Sequence, residues 1–243
     1  MQKKRLDQLL VDKNLSESKE KAQRLIYAGM ILVNDKIANK PGHKFLVDSK
    51  ITSKGNLKFV GRGGLKLEEA YNNFNFIISN KICIDIGSST GGFSDFLLQN
   101  NAKKIYAVDC GTNQLHWNIR NNDKVIVMEK TNARYLTNKD ITEQIDLCVI
   151  DVSFISLKKI IPPILPLLKA NADIITLIKP QFEAEKNLVK KGGVIFDKEI
   201  HKNIIDDIKC FCTNELKLKF INICTSPIKG PAGNTEFLAY WNL

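Results

Sequence analysis

Residues 82–95 have the sequence Ile-Cys-Ile-Asp-Ile-Gly-Ser-Ser-Thr-Gly-Gly-Phe-Ser-Asp, and this stretch decides the fold. Its apolar, β-branched start is typical of a buried parallel strand, and Phe93, Phe96 and Leu97 follow with the spacing of one helical face. The loop between them is rich in glycine, so its backbone can turn sharply and approach a ligand that the free N–H groups of the helix also face. The stretch alone leaves two alternatives open, a nucleotide-like cofactor site and an ordinary tight turn.

Four more apolar runs follow and predict strands that alternate with helices. The predicted strands cover residues 104–109, 125–128, 147–151 and 174–180. Helices are predicted near 160–168 and over 198–212, and a closing strand pair over 217–226 and 235–241. This alternation predicts an α/β fold, a mainly parallel Rossmann-like sheet with helices on both faces. Ligands of such sheets bind at the carboxyl ends of the strands.

The first 60 residues differ from the rest in charge, because they hold 13 Lys and Arg against 6 Asp and Glu. The whole chain has a net charge of +10, so the 183 residues that follow carry only +3. Apolar spacing predicts a helix over 5–13 and a second helix, capped by Ser16 and ending at Gly29, before short strands. A small basic α+β module is typical of a unit that binds an anionic partner, with a solvated lysine-rich surface as the alternative.

Glycines mark the join between this module and the rest of the chain. Gly61, Gly63 and Gly64 surround Arg62, and a helical apolar pattern starts directly after them. We therefore predict one domain over residues 1–60, a hinge over 61–66 and a second domain over 67–243.

Composition argues against several classes of protein. No apolar run approaches the roughly 20 residues of a membrane-spanning helix, and the basic N-terminus lacks the apolar core of a secretory signal. The six cysteines, such as Cys110 and Cys148, lie mostly within apolar runs, as buried free thiols do in a reducing cytoplasm. The pair Cys210 and Cys212 has no second pair with which to hold a metal. We therefore expect a cytoplasmic protein without a metal and without an obligatory membrane partner.

Four charged residues are predicted to meet at the carboxyl edge of the sheet. Asp151 and Lys179 end neighbouring strands, Lys66 enters from the helix that starts in the hinge, and Glu236 lies just inside the last strand. Each residue alone could cap a helix or form a salt bridge. Together, two lysines and two carboxylates beside a cofactor loop suit the deprotonation of a weakly acidic hydroxyl, because a buried lysine next to another cation can act as a general base.

The motifs also carry a resemblance to known proteins. The pattern Arg-Leu-Asp-x-x-Leu at 5–10, followed by Ala-x-x-Leu-Ile-x-x-Gly-x-Ile-x-Val-Asn at 22–34, resembles the S4 RNA-binding domain. Together with it, the order of five further motifs resembles the TlyA family. These motifs are Gly-Gly-Leu-Lys-Leu at 63–67, the stretch at 82–95, Asp-Val-Ser-Phe-Ile-Ser-Leu at 151–157, Lys-Pro-Gln-Phe-Glu at 179–183 and Gly-Asn-Thr-Glu-Phe at 233–237.

The TlyA family consists of S-adenosylmethionine-dependent 2′-O-methyltransferases of ribosomal RNA, many of which carry the name haemolysin. The resemblance therefore implies an S4 domain before a methyltransferase domain similar to the FtsJ/RrmJ type, acting on a ribose, with cytidine the expected nucleotide. It also implies a catalytic tetrad of Lys66, Asp151, Lys179 and Glu236. Lys179 would take or stabilise the proton of the 2′-hydroxyl, Asp151 would orient Lys179, and Lys66 and Glu236 would position the ribose.

The resemblance assigns residues to S-adenosylmethionine and to RNA as well. Asp109 would hold the cofactor ribose and Asn132 would lie near the adenine. The residues expected at the methionine end are Asp85, Gly87, Ser89, Thr90, Gly91 and Gly92. The residues expected to contact RNA phosphates are Arg5, Lys21, Arg24 and Arg62.

Two stretches depart from the family pattern. Gly61 replaces the serine that members commonly have before Arg-Gly-Gly, which should loosen the hinge. Residues 183–189 are more charged than the glycine-containing family form, so the conformation of this loop is not predicted.

Three other functions deserve comparison with the methyltransferase hypothesis. A nicotinamide-dependent dehydrogenase would also have a glycine loop and Asp109, but residues 87–92 are not a clean G-x-G-x-x-G and the tetrad has no use in hydride transfer. A membrane-acting cytolysin should show a spanning or strongly amphipathic insertion segment, and no such segment is visible in the sequence. An RNA-binding protein without catalysis would have no reason to bind S-adenosylmethionine. The sequence leaves open the modified nucleotide, the ribosomal subunit and the oligomeric state.

Overall fold

The computed structural model describes residues 2–27, 29–53, 58–185, 188–189 and 192–243. The chain divides into two compact units, residues 1–62 and 63–243. Residues 63–66, which the sequence analysis assigned to the hinge, form the first turn of a helix. Of the charged loop at 183–189, Lys186 and Asn187 lie outside the described residues.

The N-terminal unit packs two helices against short strands. Its elements are β1 Lys3–Arg5, α1 Leu6–Asp12, α2 Lys19–Tyr27, β2 Ile31–Val33, β3 Lys36–Ile37, β4 Lys44–Leu46 and β5 Ile51–Ser53. Strand β1 pairs antiparallel with β4, and β2 lies between β3 and β5. The leucines and isoleucines that define the predicted helical faces, including Leu6, Leu10 and Ile26, form its core.

The predicted N-cap of α2 is wrong by two residues. The hydroxyl of Ser18, not that of Ser16, accepts a hydrogen bond from the backbone N–H of Lys21. A cap bonds the N–H group three residues after it, so Ser18 fixes the start of the helix at Lys19. The Ser16 hydroxyl instead donates to the carbonyl oxygen of Ser18, which shapes the turn before the helix.

The C-terminal unit is a seven-stranded sheet with helices. Its helices are α3 Gly63–Phe74, α4 Gly92–Gln99, α5 Trp117–Arg120, α6 Ile161–Ile164, α7 Pro180–Glu183 and α8 Lys198–Cys210. Its strands are β6 Ile82–Ile86, β7 Lys104–Val108, β8 Val125–Met128, β9 Ile145–Ile150, β10 Leu168–Ile178, β11 Lys219–Thr225 and β12 Phe237–Asn242. The strand order is β11-β12-β10-β9-β6-β7-β8.

Five of these strands are parallel, and β11 and β12 are the antiparallel closing pair. Every residue of β6 is buried, because neighbours cover it on both edges and both faces. The sheet therefore has the predicted α/β architecture, in which β6, β9 and β10 lie side by side in its centre. Their carboxyl ends bring the glycine loop, Asp151 and Lys179 to one edge.

Prolines change two predicted elements between β9 and β10. The helix predicted near 160–168 is only one turn, Ile161–Ile164, with short 3₁₀ turns at Leu157–Lys159 and Leu165–Leu167. Pro162, Pro163 and Pro166 lack the N–H groups that a longer helix needs. Strand β10 begins at Leu168, six residues earlier than predicted, and its register with β9 shifts between Leu168 and Asp173.

All six cysteines are free, and their burial is uneven. Cys83 and Cys148 are buried as predicted, and Cys212 is buried as well. Cys224 is only half-buried, and Cys110 is exposed because strand β7 already ends at Val108. Among the described residues, no helix has the length and apolar character needed to cross a membrane.

Candidate active site

The glycine loop joins β6 to α4 in a conformation that depends on glycine. Gly87 has a φ of +84°, and a side chain there would clash with the carbonyl oxygen of Asp151 at the end of the neighbouring strand. Gly91 has a φ of +90° and is the N-cap of α4, where it has no side chain to occupy the helix N–H groups. Ser89, also at positive φ, is exposed at the tip, whereas Gly92 begins the helix. The loop therefore offers backbone at close range to a ligand.

Asp85 lies beneath this loop and is fully buried. Its Oδ2 atom accepts hydrogen bonds from the Ser94 hydroxyl at 2.7 Å and from the Ser94 backbone N–H at 3.0 Å. Its Oδ1 atom is buried without a hydrogen-bond partner among the described residues. Burial raises the pKa of Asp85 to about 7, against the lowering effect of the Ser94 hydrogen bonds, and the charges of Asp151 and Asp109 add to the increase.

Asp109 follows strand β7 and faces the same edge. Its two carboxylate oxygens accept hydrogen bonds from the backbone N–H of Ser89, at 2.8 Å, and of Gly111, at 2.7 Å. A carboxylate held in this way at the end of the second strand is in the position from which such sheets bind a ribose diol. Thr90, the remaining loop residue, accepts a hydrogen bond on its carbonyl oxygen from the N–H of His116.

Asn132 follows strand β8, the neighbour of the strand β7 that Asp109 follows. It is exposed, and its side-chain oxygen accepts a hydrogen bond from the backbone N–H of Arg134 at 3.1 Å. The contact caps a short 3₁₀ turn at Ala133–Tyr135 and fixes the amide at the sheet edge.

The four predicted tetrad residues form one continuous chain of ion pairs. Lys66 Nζ lies 2.7 Å from Glu236 Oε2 and 3.4 Å from Asp151 Oδ2. Lys179 Nζ lies 2.5 Å from the other oxygen, Asp151 Oδ1. Asp151 thus bridges the two lysines, and Glu236, which directly precedes β12, contacts only Lys66 among them.

The tetrad is buried to an extent that is rare for lysine and glutamate. Lys66 and Lys179 are each 7% exposed and Glu236 is 1% exposed. Burial would raise the pKa of Asp151, but the charges and hydrogen bonds of Lys66 and Lys179 outweigh it and hold that pKa below its usual range. Gly230 leaves room for Glu236, because a Cβ atom at Gly230 would lie 2.6 Å from Glu236 Oε1.

Two residues beside Lys179 were missed by the sequence analysis. Lys179 Nζ donates a hydrogen bond to the Ser153 hydroxyl at 2.9 Å. Phe154 is 90% exposed, has a φ of +65°, and its ring centroid lies 4.9 Å from that of Phe182. Ser153 and Phe154 belong to the family motif at 151–157, but a lone serine or phenylalanine in a loop gives no chemical signal of its own.

The four predicted RNA contacts lie in the N-terminal unit with different partners. Arg5 is paired with the fully buried Asp7 at 2.6 Å, and Arg5 is the largest influence that lowers the pKa of Asp7 to about 2. Lys21 forms an exposed pair with Glu17 at 2.7 Å. The Nε atom of Arg24 is buried without a partner among the described residues, and Arg62 donates to the carbonyl oxygen of Tyr27 at 3.1 Å.

The described ranges contain no group of three or more His, Cys, Asp or Glu residues arranged to hold a metal ion.

Comparison with known proteins assigns the chain to a family. The model of the FtsJ-like methyltransferase family matches residues 59–243, and the model of the S4 domain matches residues 4–51. A Bacillus subtilis protein, named as a candidate rRNA methyltransferase YqxC, is 47% identical over 240 residues, which cover 98% of this chain and 85% of the relative. The 16S/23S rRNA (cytidine-2′-O)-methyltransferase TlyA of Mycobacterium tuberculosis is 36% identical over 238 residues, 97% of this chain and 88% of the relative.

A solved structure is similar along the whole chain. The protein from Streptococcus thermophilus, described as a hemolysin, is 40% identical with a TM-score of 0.78, and the match covers 100% of this chain and 89% of that one. The two family models and the TlyA relative, matched over nearly its whole length, confirm the predicted resemblance. The chain belongs to the TlyA family, with an S4 domain followed by an FtsJ-like methyltransferase domain.

Proposed function

We propose that this protein transfers a methyl group from S-adenosylmethionine to the ribose 2′-hydroxyl of cytidine in ribosomal RNA. The observation that carries the proposal is the buried chain of ion pairs through Lys66, Asp151, Lys179 and Glu236, at the sheet edge that also holds the glycine loop. A buried pair of lysines bridged by a carboxylate is costly to assemble, so its presence at this edge favours a chemical role.

The residues at this edge fit S-adenosylmethionine. Gly87 and Gly91 let the loop backbone approach the methionine end closely, and the positive end of the α4 dipole suits the methionine carboxylate. The carboxylate of Asp109 suits the ribose hydroxyls, and Asn132 suits the adenine edge. Asp85 supports the loop from below through Ser94. When bound there, S-adenosylmethionine supplies an activated methyl group on a sulfonium.

In the proposed mechanism, Lys179 acts as its free amine and receives the proton of the 2′-hydroxyl as the oxygen attacks the methyl group. Asp151 fixes Lys179 and stabilises the ammonium that results, through the 2.5 Å contact. Lys66, held between Asp151 and Glu236, donates to the ribose and keeps the reacting oxygen in line. The exposed ring of Phe154, which packs against the Phe182 ring beside Lys179, offers a surface on which a nucleobase can stack.

Ribosomal RNA and cytidine are proposed from the activity for which the Mycobacterium tuberculosis relative is named. The S4 domain supports an RNA substrate, because its basic residues can neutralise phosphates. The cytoplasm is the proposed location, because the relative from Mycobacterium tuberculosis is named for acting on ribosomal RNA.

A substitution in the tetrad tests the function. Lys179→Ala should abolish methylation, with S-adenosylmethionine affinity by calorimetry within about twofold of wild type, because Lys179 acts on the hydroxyl and not on the cofactor. The assay uses purified small and large ribosomal subunits, and mass spectrometry of RNA digests reports 2′-O-methylcytidine. Lys104→Ala is the matched control, since Lys104 forms an ion pair with Glu143 at the amino end of β7, away from the site.

Two results would contradict the proposal. Wild-type turnover by Lys179→Ala would show that Lys179 does not take part in the reaction. Lack of S-adenosylmethionine binding by the wild-type protein would show that S-adenosylmethionine is not its cofactor. A liposome-leakage assay on the same samples tests the cytolysin alternative, which predicts leakage by both wild-type protein and Lys179→Ala.

A further inference from the structure

Lys179 has a second fixed partner besides Asp151. Its Nζ atom contacts Asp151 Oδ1 at 2.5 Å and donates to Ser153 Oγ at 2.9 Å. A lysine nitrogen has four tetrahedral directions, one of which is the bond to its own side chain. Two fixed hydrogen bonds therefore leave it little freedom to rotate, and they determine where its remaining N–H or lone pair points. With Asp151 as the only partner, two of the three positions on the nitrogen would stay open, and Ser153 reduces them to one.

The two partners of Lys179 are held in different ways. The backbone N–H of Asp151 donates to the carbonyl oxygen of Ile86 at 2.9 Å, so the sheet itself holds Asp151. Ser153 lies three residues beyond the end of β9 and is exposed. Its neighbour Phe154 has the unfavourable φ of +65°, which persists only where surrounding contacts determine it. Ser153 therefore needs an anchor further along the loop.

Glu183 supplies that anchor from the last residue of α7. Its Oε2 atom accepts a hydrogen bond from the Ser156 hydroxyl at 2.5 Å, and its Oε1 atom accepts one from the backbone N–H of Leu157 at 2.9 Å. Burial raises the pKa of Glu183, against the lowering effect of these two hydrogen bonds. Burying this carboxyl group costs desolvation free energy, which its hydrogen bonds to Ser156 and Leu157 offset. These two hydrogen bonds therefore hold the loop in place.

The segments 151–157 and 179–183 are thus joined at both ends. Lys179 contacts Asp151 and Ser153 at one end, Glu183 contacts Ser156 and Leu157 at the other, and the Phe154 and Phe182 rings lie between. Because α7 begins with Pro180, directly after Lys179, the segment that carries Glu183 also carries the lysine.

We infer that Ser153 is a positioning residue that aims Lys179 at the substrate hydroxyl, and that Glu183 acts through Ser153 by holding its loop. This inference rests on the proposed function and assigns to that reaction two residues outside the tetrad.

Kinetics of Ser153→Ala test the first half of the inference. We expect kcat to fall roughly tenfold, the factor that one hydrogen bond to a charged group is worth, while S-adenosylmethionine affinity and the melting temperature stay near wild type. Ser153→Thr, which keeps the hydroxyl, should recover most of the rate. Ser79→Ala, at an exposed serine before β6, is the control. Wild-type kcat in Ser153→Ala would overturn the inference, as would failure of the threonine variant to do better than alanine.

A double-mutant cycle tests the second half. If Glu183 acts through Ser153, Glu183→Ala should lower kcat in the wild-type background but cause little further loss in Ser153→Ala. If the double variant instead loses kcat by the product of the two single losses, Glu183 acts independently of Ser153. Glu183→Gln replaces Glu183→Ala in the cycle if the alanine variant unfolds, and Glu185→Gln, at an exposed carboxyl nearby, is the control.

A chemical readout separates this inference from the proposed function. Acetic anhydride labelling at one pH, quantified by mass spectrometry, should modify Lys179 faster in Ser153→Ala, because the ammonium loses an acceptor that stabilises it. Lys104 is the internal reference and should label equally in both proteins. Absence of methylation by the wild-type protein would contradict the proposed function alone, whereas unchanged Lys179 labelling in Ser153→Ala would overturn the positioning of Lys179 by Ser153.

Discussion

The carboxyl of Asp85 makes the stability of the protein depend on pH, because it is buried beneath the glycine loop. Its pKa of about 7 lies above the ordinary value of 3.8. Between these two values the folded protein keeps a proton that the unfolded chain has released. The free energy of unfolding therefore decreases as the pH rises from about 4 to 7, by roughly 4 kcal/mol at 1.36 kcal/mol per pKa unit.

Asp85→Asn should remove this dependence, because an amide does not ionise in this range. Urea denaturation of both proteins from pH 4 to 8 measures the effect. The stability of the variant relative to wild type should increase with pH up to about 7 and then level off. Asp123→Asn, at an exposed carboxyl, is the control. A stability difference that does not change with pH would show that Asp85 is ionised throughout.

The tetrad shows how far single residues could be assigned from sequence. Asp151 and Lys179 were identifiable because each directly follows an apolar run, and strands of this length align at one edge. Their link to Lys66 and Glu236 depended on the family resemblance, since 170 positions separate those two residues. Ser153 and Glu183 gave no pattern, because their contacts arise from a loop whose path only the tertiary structure defines.

At the scale of elements, apolar runs predicted the five parallel strands and the closing pair, because continuous burial requires continuous apolar sequence. The segment between β9 and β10 was predicted less well. Apolar spacing there suits a helix, but the prolines break it into single turns and leave Leu168 to start β10. Residues 168–172 include polar positions that no strand pattern marks, so the early start of β10 comes from the pairing of Leu168 with Ile145 of β9.

The junction between β6 and β9 gives a test at this scale. Gly87→Ala places a methyl group against the carbonyl oxygen of Asp151 as well as a side chain at positive φ. Gly192→Ala is matched to it, because Gly192 has a φ of +103° and open space around its Cβ position. Positive φ alone costs roughly 1–2 kcal/mol, so urea denaturation should show about that loss for Gly192→Ala and a clearly larger loss for Gly87→Ala.

The comparison also separates strain from function. Gly87→Ala should weaken S-adenosylmethionine binding, because the backbone must move at the loop and at Asp151 together. Equal losses of stability in the two variants would mean that the strands separate without cost at this junction.

At the scale of the whole molecule, charge and chemistry reside in different units. The first 60 residues carry a net charge of +7, whereas the tetrad lies entirely within residues 63–243. Phosphate neutralisation releases counterions and makes RNA affinity depend on salt, while methyl transfer depends on local geometry. Changes in the N-terminal unit should therefore act on affinity and leave the rate at saturation intact.

Lys21 provides the test, since its exposed pair with Glu17 holds it only weakly and it can exchange Glu17 for a phosphate. In the full-length protein, Lys21→Gln should weaken RNA binding and reduce the slope of log affinity against log salt by about 0.7–0.9, the value of one phosphate contact. Its kcat at saturating RNA should equal that of wild type. Lys202→Gln, at an exposed lysine on α8, should leave the slope unchanged. A wild-type slope in Lys21→Gln would exclude Lys21 as a phosphate contact, and a lower kcat at saturation would mean that the N-terminal unit also shapes the reacting site.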